Sequence, residues 1–221
     1  MKKLLPILAF TLLLVACGEK TVSFTVTMDT QDPKLRSDLM AAIPRVVDGR
    51  VEAKKKHVVV QSLEEKDGAL VLTATVSDAE AAELLKNGLT APYSMAIMKK
   101  VDAGMGDMIS EKFGDFKETG ISTKHFAWVV AGVTSSTGEE RGMAVIQLTP
   151  DGQSLLKDMF STNRGSTIGI FARGQLMSIK TVDTTDKQDS IAVDGIPNGA
   201  LAAAFADDAN VGLHVTFTSQ P

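Results

Sequence analysis

The one cysteine of the chain, Cys17, sits where a thiol can do chemistry. It closes the run Leu14-Val15-Ala16-Cys17, directly after an apolar stretch from Leu4 to Val15 that is broken only by Pro6 and Thr11 and preceded by Lys2 and Lys3. A short positive start, an apolar core of about a dozen residues and a small residue at its end are the parts of an export signal; a membrane-crossing helix needs roughly 20 apolar residues. Small Ala16 gives a protease access to the bond before Cys17, and the thiol can accept a lipid. With no second cysteine, no disulfide forms within the chain, even in an oxidising compartment. A buried structural cysteine is the competing reading, and a position at the edge of a leader argues against it.

The other candidate groups carry weaker signals. His57, His125 and His214 lie far apart, in or beside expected strands, with no close ligand pair of the kind a zinc site uses. They read as histidines on exposed strand edges or faces. Gly165-Ser166-Thr167-Ile168-Gly169 places its serine too early for a nucleophile elbow and runs into a strand rather than a helix. Gly104-Met105-Gly106 lacks the preceding strand and the third glycine or Lys-Ser/Thr pair of a phosphate cradle, and reads as a flexible connector. Asp183, Asp186 and Asp189 recur every three residues, the wrong spacing for a calcium loop, and read as a solvated loop. Lys54-Lys55-Lys56 follows a helix whose C-terminal dipole favours cations, with lipid headgroups as the alternative contact. Met95, Met98, Met105 and Met108 suit core filling, or a cleft between two lobes.

These groups must be positioned by a body of about 205 residues after the leader, enough for one or two domains. The formal net charge of −4 becomes more acidic once Lys2 and Lys3 are lost, which argues against nucleic acid as a partner. One Trp and one Tyr are too few for a sugar site built on stacked aromatics. The residues after Cys17 begin with alternation: Val22, Phe24 and Val26 against Thr21, Ser23, Thr25 and Thr27, the period of a half-buried strand. Asp32-Pro33 starts a helix striped by Leu35, Leu39, Ile43, Val46 and Val47, which Pro44 kinks or splits. Two strands, His57 to Leu63 and Ala69 to Val76, flank the polar stretch Glu64 to Gly68. Ser77-Asp78-Ala79-Glu80 opens a second helix as a capping box, Asn87-Gly88 ends it, and Tyr93 to Met98 is the fourth strand. The order strand, helix, strand, strand, helix, strand predicts a ferredoxin-like unit.

A connector with a short helix over Ala103 to Phe116 then leads to a second α+β part. His125 to Val133 and Gly142 to Leu148 form a hairpin around Ser135 to Glu140. Thr149-Pro150 caps a helix carrying Leu155, Leu156, Met159 and Phe160. Strands follow at Thr167 to Ala172, Leu176 to Val182 and Ile191 to Val193, then a small-residue helix from Gly199 to Ala206 and a closing strand from Val211 to Phe217.

Two resemblances rest on these residues. Leu14 to Cys17 resembles the lipobox of bacterial lipoproteins, which implies cleavage before Cys17 and a diacylglyceryl group on its sulfur. An ordinary secretory peptide cut nearby, or a short uncleaved anchor, are the alternatives. Gly18 stands where the inner-membrane retention signal of enteric bacteria has Asp, which leans toward the outer membrane over the inner. One acyl chain holds weakly and two hold stably, at roughly 0.8 kcal/mol per buried methylene.

The second resemblance is to the first periplasmic domain of SecD, a protein-export membrane subunit. Leu148-Thr149-Pro150-Asp151-Gly152 opens a helix that ends at Thr162-Asn163-Arg164-Gly165, and Ile168-Gly169-Ile170-Phe171 is the next strand. Arg173-Gly174-Gln175-Leu176-Met177-Ser178 resembles the Gly-x-x-x-Ser stretch of that domain's head, and Asp194-Gly195-Ile196-Pro197 precedes an Ala-rich helix. Val47 to Lys100 resembles its ferredoxin-like base, and Ile121-Ser122-Thr123-Lys124-His125 the approach to its head. Two departures stand out: Ile179-Lys180 replaces the family's Ala-Pro, and the transmembrane helices of SecD have no counterpart.

The resulting expectation is a signal peptide (1–16), a lipidated tether (17–20), a ferredoxin-like base (21–100), a connector (101–120), a smaller α+β head (121–210) and a closing strand and tail (211–221). The resemblance implies a non-enzymatic envelope module, without cofactor or metal, held to a membrane through Cys17 and binding a protein or extended polypeptide. A periplasmic small-ligand receptor or enzyme, and a purely structural envelope lipoprotein, are the competing readings.

Overall fold

Alternation after the tether becomes a strand, β1 (Lys20–Met28), with Val22, Phe24, Val26 and Met28 buried. The structure is a computed structural model and describes residues 18–136, 139–183 and 189–220. The expected signal peptide, Cys17 and Asp186 lie outside the described residues. The chain continues through α1 (Pro33–Glu52), β2 (Val58–Lys66), β3 (Ala69–Val76), α2 (Ala79–Thr90), β4 (Met95–Lys100), β5 (Met108–Ser110), β6 (Gly114–Ser122), β7 (Phe126–Ser136) and β8 (Glu139–Leu148). It closes through α3 (Pro150–Thr162), β9 (Thr167–Ala172), β10 (Gln175–Thr181), β11 (Ser190–Ile196), α4 (Gly199–His214) and β12 (Val215–Ser219). The fold class is α+β, with three antiparallel sheets among the described residues: β12-β1-β3-β2, β10-β9-β4-β6-β5 and β11-β8-β7.

The base is a four-stranded antiparallel sheet under α1 and α2, in the ferredoxin-like pattern. Its fourth strand, however, is β12 and not the segment after α2. β12 pairs with β1, placing Phe217 opposite Val26, and its buried Val215 and Phe217 alternate with exposed Thr216 and Thr218. That one-sided pattern fits a sheet covered on one face, and Phe217 meets Phe24 edge-on at 6.2 Å. β4 buries Met95, Ile97 and Met98, so both of its faces are covered, and it lies inside the five-stranded sheet between β6 and β9. The span from β4 through β11 is therefore an insertion between the second helix of the base and α4, which leads into its last strand.

The helix expected over Ala103 to Phe116 is absent, and that stretch supplies β5 and the start of β6. Gly104 and Gly114 have φ of 83° and 84°, and a Cβ on Gly106 would meet the Phe116 backbone nitrogen at 2.8 Å. Three glycines held this way turn the chain back on itself rather than wind a helix. The 101–120 segment is thus an edge of the central sheet, not a free connector.

Smaller differences follow from local chemistry. α1 runs on through Pro44; the Asp32 carboxylate caps it, accepting from the backbone N–H of Lys34 at 2.8 Å and Leu35 at 3.1 Å. α2 is capped by Asp78 rather than Ser77 and ends at Thr90, past Asn87-Gly88. β2 and β3 join at Asp67-Gly68, both with positive φ, the two-residue turn that matches strand twist. α4 continues to His214, absorbing Val211 to Leu213, which the sequence pattern assigns to the closing strand. Within it, the Asn210 side chain is bonded sideways to Val129 of β7.

Two large cores result. One lies under the base sheet around Phe24, Leu39, Ile43, Leu72 and Leu85. The other lies between the two remaining sheets and α3 and α4, around Ile97, Ile146, Leu156, Phe160 and Ile170. A small third cluster joins Met98, Phe116 and Phe171, with the two rings edge-on at 5.2 Å.

Candidate interlobe cleft

The sequence candidates do not converge. His57 is exposed. His125 is buried, contrary to the expected exposed position; its Nδ1 accepts from the Ser122 backbone N–H at 3.0 Å and its carbonyl accepts from the Thr149 N–H. His214 is also largely covered, at the end of α4, with Nδ1 2.9 Å from Asp29 Oδ1 and Nε2 2.7 Å from the Ala127 carbonyl. Both make structural contacts, and no group of three or more metal-ligating side chains occurs among the described residues. Lys56 bridges to Asp78 at 3.0 Å and Glu80 at 2.8 Å, tying the end of α1 to the start of α2. Lys55 has φ of 59° in the turn that reverses the chain there. Met95 and Met98 are buried and Met108 packs against the small cluster, as core filling requires, while Met105 is 63% exposed. None of these methionines lines the cleft described next, whereas Lys54 of the basic run does.

That cleft lies where α1, the end of α2, the β9–β10 turn and α4 meet. Arg50 comes from the last turn of α1, because the helix stripe that buries Val46, Val47 and Val51 leaves position 50 facing α4. Arg173 comes from the Arg173-Gly174 turn, both residues at positive φ, and its backbone N–H is fixed to the Ser94 carbonyl at 2.8 Å. Asp208 comes from the middle of α4 and serves both arginines. Arg50 Nη2 donates to Asp208 Oδ1, and Arg173 reaches the same carboxylate through Nε at 3.1 Å and Nη2 at 3.3 Å. The Arg173 guanidinium also lies 4.8 Å from the centre of the Tyr93 ring. One residue earlier on α4, Asp207 takes a two-pronged contact from Arg45 at 2.6 and 3.0 Å.

The electrostatics are unbalanced. Two guanidinium groups share one carboxylate, and Arg50 Nε is buried without an acceptor among the described residues. Burial pulls the Arg50 pKa down from its ordinary value, and the charge of Arg173 adds to that against the pull of Asp208. Burial likewise pushes the Tyr93 hydroxyl up, with the Asp208 charge acting in the same direction. Arg45 is raised, chiefly by its hydrogen bonds to Asp207. Beside this cluster opens a cavity of about 680 Å³ bordered by Arg50, Lys54, Arg173 and Asp208, with apolar walls from Leu84, Met177 and Phe205. Its chemistry is that of holding and orienting a charged group.

Sequence reasoning missed this cluster. Arg50 and Asp208 are 158 residues apart and carry no motif. Arg173 was legible only as a turn residue, and Asp207-Asp208 fell past the expected end of the last helix. The adjacent acidic pair in an otherwise small-residue helix was the available signal.

No protein-family model matches the chain, and no curated protein sequence does. Its fold is similar to solved structures of SecDF. Against SecDF from Thermus thermophilus, a translocon-associated membrane protein, the match has a TM-score of 0.51 at 13% identity and covers 91% of this chain and 30% of that one. A super-membrane-facing form of SecDF matches at a TM-score of 0.48 and 14% identity, over 93% of this chain and 30% of that one. A third structure, of a membrane component SecDF that enhances protein export, matches at 0.49 and 13%, over 91% of this chain and 98% of that one. The chain spans about a third of the longer SecDF chains. The resemblance to a SecD periplasmic domain read from the sequence holds at the level of fold. No helix among the described residues is long and apolar enough to cross a membrane.

Proposed function

We propose that the chain is an envelope lipoprotein, held to a membrane by lipid on Cys17, whose two-lobed body binds a protein or an extended polypeptide in connection with protein export and catalyses no reaction. The observation that carries this reading is the fold shared with SecDF at a TM-score of 0.51, joined to the leader that ends at Cys17. The edges of the sheets supply a means of binding. β2 is the outer strand of the base, and its Val59 and Val60 are 46% and 61% exposed. Beyond a bulge at Val58 to Val60 its pairing with β3 is regular, so its free side can accept an extended segment by backbone hydrogen bonds.

Two measurements test the reading separately. Intact-mass analysis of the protein from membranes, with and without Cys17→Ser, reads the anchor; the expected result is loss of residues 1–16 and a lipid adduct that vanishes in the variant. A photo-crosslinking residue placed at Val60 reads the partner, and the expected product is a covalent adduct with a polypeptide. An intact leader or a free thiol at Cys17 removes the anchor, and an absence of polypeptide adducts at Val60 removes the binding mode.

A further inference from the structure

We propose that the cavity beside Arg50 and Arg173 is a binding site for a carboxylate carried on a short apolar body. This goes beyond the envelope-module reading and stands whether or not β2 accepts a strand.

The argument begins with charge. Arg50, Arg173 and Lys54 border the cavity, and Asp208 is the one acidic side chain among its lining residues. Asp208 already accepts from both arginines, so its carboxylate is spent on a pair that outnumbers it. Arg50 Nε lies buried with no acceptor among the described residues. Burying a guanidinium beside a second one is costly, and an anion in the cavity offsets that surplus charge without having to reach the enclosed Nε. The lowered pKa of Arg50 agrees with a cation short of compensation.

The size of the missing charge follows from the helices. α1 ends at Glu52, with Ala53 as its C-cap and Lys54 just beyond, and α2 brings Asn87 and Gly88 from its last turn to the same cavity. Helix C-termini carry roughly half a negative charge each. Two of them offset about one of the two surplus positive charges, so the site matches a monoanion better than a dianionic phosphate. Guanidinium groups suit the planar, two-oxygen geometry of a carboxylate.

The walls give the rest of the ligand. Leu84, Met177 and Phe205 face the space, and Met177 is 42% exposed although apolar. A cavity of about 680 Å³ is in the range of small-ligand sites and exceeds what a bare anion fills. The C-terminal residue of a polypeptide and a small free acid share this chemistry.

The experiment uses the full chain purified from membranes in detergent and follows binding by calorimetry. The probes are the peptide Ala-Leu-Phe as free acid, the same peptide as its C-terminal amide, N-acetylphenylalanine, and inorganic phosphate. Free acids are expected to bind, with the amide weaker by about tenfold or more, the loss expected when a charge-assisted contact goes. Arg173→Asn keeps the turn, since Asn-Gly is well suited to two positive-φ residues, and is expected to weaken the acids by a similar factor. Lys54→Gln, at an exposed position, gives a smaller loss in the same direction and guards against a folding defect in the first variant. Binding of the tripeptide acid alone identifies a polypeptide terminus as the source; binding of N-acetylphenylalanine as well identifies a small acid. The proposal is overturned if acid and amide bind alike, if no acid binds, if phosphate binds in preference to the acids, or if both variants bind as the parent does.

Discussion

His214 stacks on Trp128 with ring centroids 5.3 Å apart and planes 29° from parallel, at the point where α4 gives way to β12. The same imidazole reaches Asp29 just past β1 and the Ala127 carbonyl in β7, so one side chain joins the base sheet, the inserted part and the helix between them. Replacing His214 with Phe keeps the stacking surface and removes both hydrogen bonds. The expected loss of stability is about 1–2 kcal/mol, the net value of one or two such bonds. Urea denaturation measures it, and Trp128, the one tryptophan, reports the junction directly by fluorescence.

Asn210 makes a second tie between α4 and β7, and a more buried one. Its Oδ1 accepts from the Val129 N–H at 2.7 Å and its Nδ2 donates to the Val129 carbonyl at 2.8 Å, with Asn210 only 6% exposed. An asparagine amide copies the pattern of a neighbouring strand, so it extends the β7 ladder by one rung. Asn210→Leu leaves a buried backbone donor and acceptor without partners, at an expected cost of about 2–4 kcal/mol. Asn210→Asp keeps the shape but replaces the donor with an acceptor facing the Val129 carbonyl. It is expected to destabilise as well, and a stability for either variant within error of the parent removes this role.

The sequence revealed most where one element's own chemistry decided the outcome. Asp32-Pro33, Thr149-Pro150, Asp67-Gly68 and Arg173-Gly174 are local signals, and each start or turn formed where those residues stand. What the sequence concealed was decided at a distance. β4 and β12 both read as strands, but which of them completes the base depends on whether one face or two are covered, a property of partners distant in the chain. The glycines at 104 and 106 read as looseness and Gly114 fell in an expected helix, whereas Gly104 and Gly114 hold positive φ and Gly106 packs against the β6 backbone. The arginine cluster depends on α4 lasting beyond Ala206, through Asn210, whose side chain is bonded across to Val129 of β7.

Gly142 is the point where the third sheet and the start of α4 touch. A Cβ there would overlap the Asn198 carbonyl and stand 2.9 Å from the Ala202 methyl. The obstacle is backbone at the capped end of a helix, where the Asn198 side chain accepts from the Leu201 N–H at 2.9 Å. Gly142→Ala is therefore expected to push the first turn of α4 outward and to cost about 1–3 kcal/mol, the usual range for overpacking. Hydrogen exchange at Leu201 and Ala202 checks the location of the damage. Protection there equal to the parent's contradicts the packing read from this glycine.

The acid side of the stability profile separates two carboxylates of the base. Asp78 is held below its ordinary value of 3.8, first by the Ala81 backbone N–H and then by Lys56. Its charged form is favoured in the folded state. Its contribution is therefore complete above pH 3.8 and is lost as pH falls through the lowered folded value. Asp48 is raised, first by burial and then by the charge of Glu52, with Gln61 acting against both. Its contribution has the opposite sign: ionisation in the folded state is penalised, and the penalty disappears as pH falls through the raised value and then 3.8. Asp78→Asn is accordingly expected to be less stable than the parent at neutral pH and to converge with it below pH 3.8. Asp48→Asn is expected to be at least as stable as the parent at neutral pH and to lose that advantage on acidification. Urea denaturation of the three proteins between neutral pH and about pH 3 checks both signs, and a deficit of Asp78→Asn that widens as pH falls through that range contradicts the assignment of Asp78 as the charged cap of α2.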